Sequence, residues 1–131
     1  MSEECSDYVD CRIMLEKLAS KGVIDVIVTK HATMRLLERK PRSFKKVNVR
    51  VLADTIRNVI RDGYYKGSGD NLIVRTKSYV LICSIDVLGR IIVKTVMSKT
   101  SLSDRFKHPL RGYRRIFWKT VTITLSSNVI R

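Results

Sequence analysis

The chain predicts an α+β fold of two layers, with N-terminal helices packed on one antiparallel sheet of about four to five strands. Three observations lead there. From Asn48 to Asp62, Val49, Leu52, Ala53, Ile56, Val59 and Ile60 form one continuous apolar stripe at helical spacing. After Gly63 the apolar period shortens to two. Between the later segments, Lys77-Ser78 and Val87-Leu88-Gly89 are connections short enough to require antiparallel neighbours. At 131 residues the chain is read as a single basic domain, with residues 1–6 a loose acidic arm.

The elements follow in order. A first helix is expected from about Asp7 to Lys21, with Ser6 or Asp7 as N-cap and Gly22 as the left-handed residue that closes it. Tyr8, Cys11, Leu15, Leu18 and Ala19 give it a core face. "VIDVIV", Val23 to Val28, is short and β-branched and reads as a strand. "TKHATMRLLERK" follows as a helix ended by Pro41. The third helix is the striped one, capped by Asn48 and ended by Gly63. "GYYKGSGDN" reads as a turn-rich loop, then "LIVRT", "YVLICSID" and "RIIVKTVM" as strands. "SKTSLSDRFKHPLRGYRR" is a polar, basic loop. "IFWKTVTITL" alternates, Phe117, Val121, Ile123 and Leu125 against Trp118, Thr120, Thr122 and Thr124, and makes a last strand.

Charge narrows the partners. The net charge is +14, and residues 1–25 carry −3 while residues 26–131 carry +17. Such a field attracts polyanions, so nucleic acid is the leading partner, an anionic membrane surface the second, and an unliganded solvated surface the bland alternative. No apolar run reaches the ~20 residues of a membrane helix, and the acidic start lacks the pattern of a signal peptide, so the protein is expected inside the cell. A homo-oligomer is not indicated. Glutamine is absent and asparagine scarce, as in heat-adapted proteins. Cys11 and Cys83 read as buried; Cys5 is a free thiol or a partner for Cys11.

In the second helix, His31, Arg35, Glu38 and Arg39 share one sector, with Ala32, Leu36 and Leu37 turned to the core. In the plain account Glu38 bridges the bases and His31 helps start the helix. In the sharper one a titratable imidazole beside two guanidinium groups makes an anion site, with the arginines holding phosphate oxygens. The motif His31, Ala32, Arg35, Glu38, Arg39, followed by an amphipathic helix and three strands, resembles the HAxxRxxER pattern of small domains related to the RelE/BrnT-type toxin superfamily. The match covers about Val28 to Val96. It implies a RelE-like arrangement of helices on an antiparallel sheet, and metal-independent RNA cleavage as an activity. The first helix, the basic segment from Pro41 to Val47 and the extension after Val96 depart from that pattern. The whole chain also resembles orphan proteins of viruses that infect hyperthermophilic archaea.

A second candidate site lies in "RFKHPLRGYRRIFWK", Arg105 to Lys119, where Lys107, Arg111, Arg114 and Arg115 are interleaved with Tyr113 and Trp118. Cations hold phosphates and aromatic faces stack exposed bases, a mixture suited to single strands. Phe117 is read as core. Arg57 and Arg61, one turn apart on the third helix, add a basic strip. The few, scattered histidines and acids suggest no metal site, and no cofactor is called for. For cleavage, His31 or His108 would serve as base or donor, with Arg35, Arg39 or Arg111 on the phosphate. The expected function is a small basic nucleic-acid-binding protein, RNA before DNA, with ribonuclease activity as its enzymatic form. The alternative is a catalytically inert interaction or packaging protein.

Overall fold

The computed structural model describes residues 10–38, 49–98 and 112–125. Seven strands form one mixed sheet: β1 (Val23–Val28), β2 (Tyr64–Ser68), β3 (Asn71–Arg75), β4 (Tyr79–Ile85), β5 (Ile91–Ser98), β6 (Arg114–Arg115) and β7 (Thr120–Leu125). Their order is β6-β2-β3-β4-β5-β1-β7. The three described helices are α1 (Cys11–Lys21), α2 (Lys30–Glu38) and α3 (Val49–Asp62). The sheet curls into a half-barrel. The expected two-layer antiparallel sheet of four to five strands, and with it the RelE-like arrangement, is therefore wrong.

Each departure has a local cause. β1 pairs in parallel with β5 on one side and β7 on the other. Parallel partners are joined by long crossovers, so no short hairpin in the sequence announces them. β2 runs through the stretch read as a loop, because Gly67 and Gly69 look like turn residues. Only Gly69 is one, at φ 58. A Cβ on Gly67 would stand 2.9 Å from the backbone nitrogen of Arg12, so this strand glycine marks where α1 lies against the sheet.

The helix termini follow their caps. Asp10 is the N-cap of α1, its Oδ1 accepting from the N–H of Arg12 at 2.9 Å and of Ile13 at 3.4 Å. Ser6, Asp7 and Tyr8 lie outside the described residues. Gly22, at φ 76, closes α1 as expected. Thr29 starts α2: its Oγ1 accepts from the N–H of Ala32 at 3.1 Å and donates to the Val93 carbonyl at 3.0 Å. The Val93 carbonyl lies beside a bulge in β5, where the ladder to β4 skips Lys94. Asn48, the expected cap of α3, lies outside the described residues.

One apolar core lies inside the curl. Ile24, Val26 and Val28 of β1, Leu72 and Val74 of β3, Leu81, Cys83 and Ile85 of β4, and Ile91, Val93 and Val96 of β5 face it. Cys11, Leu15 and Leu18 of α1, with Leu52, Ile56, Val59 and Ile60 of α3, fill it from the helix side. The amphipathic stripe of α3 is thus the core face that its spacing predicts.

Gly63, expected only to stop α3, is needed for space. A Cβ there would lie 2.5 Å from both the Val59 carbonyl oxygen and Val74 Cγ1. Gly63→Ala should cost about 1–3 kcal/mol in urea unfolding. Gly69→Ala, with nothing within 4 Å of its Cβ, should cost only the left-handed penalty of about 1 kcal/mol. In the β4–β5 turn, partial burial tends to raise the Asp86 pKa. Hydrogen bonds from the Arg90 backbone and side chain, the Arg90 charge and the Leu88 N–H outweigh it and hold the carboxyl below its usual range. A depressed folded-state pKa gives stability that is complete above the unfolded value near ~4 and is lost as pH falls through the folded value. Wild type should therefore lose more stability than Asp86→Asn between pH 6 and pH 2.5 in parallel denaturation curves.

Candidate nucleic-acid interface

The segment from Tyr113 to Trp118 alternates strictly across the sheet. Arg114, paired with Tyr65 across the β6–β2 ladder, shares the inner face, where its guanidinium is bonded to Glu16 of α1. Ile116 and Trp118 follow it inward and are buried. Tyr113, Arg115 and Phe117 take the opposite, outer face. There Arg115, paired with Tyr64 across the ladder, holds its guanidinium carbon 5.4 Å from the Tyr64 ring and 5.2 Å from the Phe117 ring. Beside them the Tyr113 ring receives Arg75 at 5.0 Å and the Lys66 ammonium at 5.7 Å. Cations and rings thus alternate along one outer strip over β6, β2 and β3.

Phe117 and Trp118 exchange their expected places. Phe117 is 76% exposed and Trp118 only 8%. The reason is a slip of phase: Lys119 and Thr120 are both exposed, and both donate their N–H to the Gly22 carbonyl, at 2.7 and 3.2 Å. Two consecutive outward residues reverse the alternation, so Trp118 and Val121 both face inward. Trp118 Nε1 donates to Tyr65 Oη at 3.0 Å, and the Tyr65 hydroxyl donates to the Ile60 carbonyl. Burial pushes the Tyr65 hydroxyl far above its ordinary range despite the Trp118 bond, so it stays a donor. Trp118 is therefore a core residue rather than a platform for bases.

The other expected residues are dispersed. Arg57 and Arg61 lie on the outward side of α3, Arg57 bonded to Asp54 at 2.7 Å and Arg61 to Asn58 at 2.9 Å and near Asp62 at 3.6 Å. Arg114 is engaged with Glu16. On α2, His31 is exposed and Arg35 half-buried, and that helix packs along β5, with β4 between that strand and the strip. Arg39, Lys107, His108 and Arg111 lie outside the described residues. Sequence reasoning missed Tyr64, Lys66 and Arg75, because the first two sat in the stretch read as a loop and the third in a strand whose other neighbour is that same stretch.

The described thiols offer no nucleophile. Burial raises the pKa of Cys83 and of Cys11, so both are neutral packing groups. Among the described residues no three His, Cys, Asp or Glu side chains converge on a metal-sized site, and no helix is long and apolar enough to cross a membrane. No family model, curated protein or solved structure matches the chain. The likeness of the His31 motif to toxin domains thus finds no support there.

Neighbouring residues should separate sharply in stability. Trp118→Phe removes the indole donor from Tyr65 and should cost about 1–2 kcal/mol in urea unfolding. Phe117→Ser, on the surface, should stay within about 0.5 kcal/mol of wild type.

Proposed function

We propose that the protein binds single-stranded nucleic acid, RNA before DNA, along the outer strip of β6, β2 and β3. The observation that carries this reading is the Arg115 guanidinium held between the Tyr64 ring and the exposed Phe117 ring, next to Tyr113 with its own two cations. Phosphates of any sequence are attracted to Lys66, Arg75 and Arg115, while bases have an exposed ring on which to stack. A single strand fits better than a duplex, whose bases are stacked on one another and closed to side-chain rings. The strong basic excess of the chain supports the same partner by drawing polyanions to the surface.

The enzymatic form of this reading draws on His31 and Arg35. General acid–base cleavage would also need a second proton-transfer group, and His108 lies outside the described residues. Binding needs only the cations and rings of the strip.

Fluorescence anisotropy with a labelled single-stranded oligonucleotide tests it. Affinity should fall with salt with a log–log slope of about −2 or steeper, for three phosphate-neutralising cations. Phe117→Ala should weaken binding by about tenfold while the fold is unchanged, and Arg115→Ala should weaken it and flatten the salt slope. Wild-type affinity in Phe117→Ala would overturn the proposal.

A further inference from the structure

A groove adjoins the strip at the ends of β2 and β3. Open, and of about 810 Å³, it lies between the C-terminal half of α3 and the β3–β4 turn. That volume is within the range of sites for small ligands, about 300–1,000 Å³, and accepts one nucleotide. Tyr64 and Arg75, a cross-strand pair, belong to both features: they line the groove and also meet Arg115 and Tyr113 on the strip. A strand lying on the strip therefore reaches the groove by passing around this pair at the ends of β2 and β3.

The two walls differ in chemistry. The hairpin wall presents the cations Arg75 and Lys77. The helix wall presents Asn58 and Asp62. Asp62 as a carboxylate only accepts hydrogen bonds, and its contact with Arg61, at 3.6 Å, is too long to use up that capacity. Its charge also repels phosphate. Whatever group of a nucleotide rests against Asp62 must be a donor, while the phosphate goes to the opposite wall. The ribose 2′-hydroxyl is the donor that RNA has and DNA lacks.

We propose that this groove is a single-nucleotide subsite selective for ribose, with the phosphate against Arg75 and Lys77 and the 2′-hydroxyl donating to Asp62. The subsite rests on the binding reading above and gives it a basis for choosing RNA. Asp62 is a positioning group for one ligand hydroxyl and takes part in no reaction.

Matched single-stranded RNA and DNA of one sequence, titrated by anisotropy against wild type, Asp62→Ala, Lys77→Ala and Phe117→Ala, decide it. Wild type should prefer RNA by about tenfold, the worth of one hydrogen bond to a charged group. Asp62→Ala should lower RNA affinity and remove the preference, while DNA affinity holds or rises because one negative charge is gone. Lys77→Ala should weaken RNA and DNA alike. Asp62 is exposed and sits at a helix C-terminus, where an acid is unfavourable, so the variant should fold, as a thermal melt by circular dichroism would verify. If Asp62→Ala raised both affinities equally, the acid would act only through its charge and the subsite would be overturned. Equal binding of RNA and DNA by wild type, still weakened by Phe117→Ala, would overturn the subsite and leave the strip standing. No binding at low salt would overturn both.

Discussion

Four residues, Ile116 to Lys119, join the two edge strands of the sheet, and the rest of the structure depends on that short connection. Laid flat, seven strands place their outer members about 29 Å apart, at about 4.8 Å per neighbour. The five Cα–Cα steps from Arg115 to Thr120 reach at most about 18 Å. The sheet has no choice but to curl. A curled sheet has an inside, and α1 and α3 fill it, which is why one cluster contains residues of both helices and of strands from across the sheet. The connection is pinned at one end by the Gly22 carbonyl and in the middle by the hydrogen-bonded chain from Trp118 through Tyr65 to Ile60. A buried tyrosine hydroxyl with both a donor and an acceptor partner is satisfied, so the polar groups at the centre of this closure add no uncompensated desolvation.

How much of this could be read from the sequence depends on the range of the interactions involved. The face of α3, the left-handed Gly22, the start of α2 beside His31 and the strands β3, β4 and β5 follow from periods and caps that act within a few residues. What failed involved pairing at a distance. β1 reads as a strand, yet nothing in "VIDVIV" says that it inserts in parallel between β5 and β7. The glycines of β2 imitate a turn because the reason for Gly67 lies on α1, more than fifty residues earlier in the chain. The clean alternation from Phe117 to Leu125 misled because one carbonyl, that of Gly22, accepts from two successive N–H groups and so inserts an extra outward residue.

The candidate site shows the same division. Total charge by itself singles out no surface, since some of the cations are answered locally: Arg57 by Asp54, Arg90 by Asp86 and Arg114 by Glu16. The two exposed pairs, Arg57–Asp54 and Arg114–Glu16, contribute little stability, roughly 0–1 kcal/mol, but all three pairs remove their cations from the ready phosphate ligands. Arg115 differs in its surroundings. Among the described residues its neighbours are rings, and a guanidinium over an aromatic face keeps its donors available in the plane.

The alternation that fixes the core also fixes this surface. Ile116 and Trp118 are held inward by apolar contacts and by a hydrogen bond, so their neighbours Arg115 and Phe117 cannot rotate away from the outer face without breaking those contacts. An exposed phenylalanine ordinarily loses conformational freedom when a ligand stacks on it. Here the backbone beneath Phe117 is already held by its buried neighbours and the ring is flanked by Arg115, so a ligand stacking on it would have less entropy to remove. The large apolar ring is thus exposed to water at a position whose chain neighbours Ile116 and Trp118 are buried. A solvent-exposed ring on a loose loop would need no such support. The placement of Phe117 directly beside Trp118 ties the outer strip of rings and cations to the closure that shapes the fold.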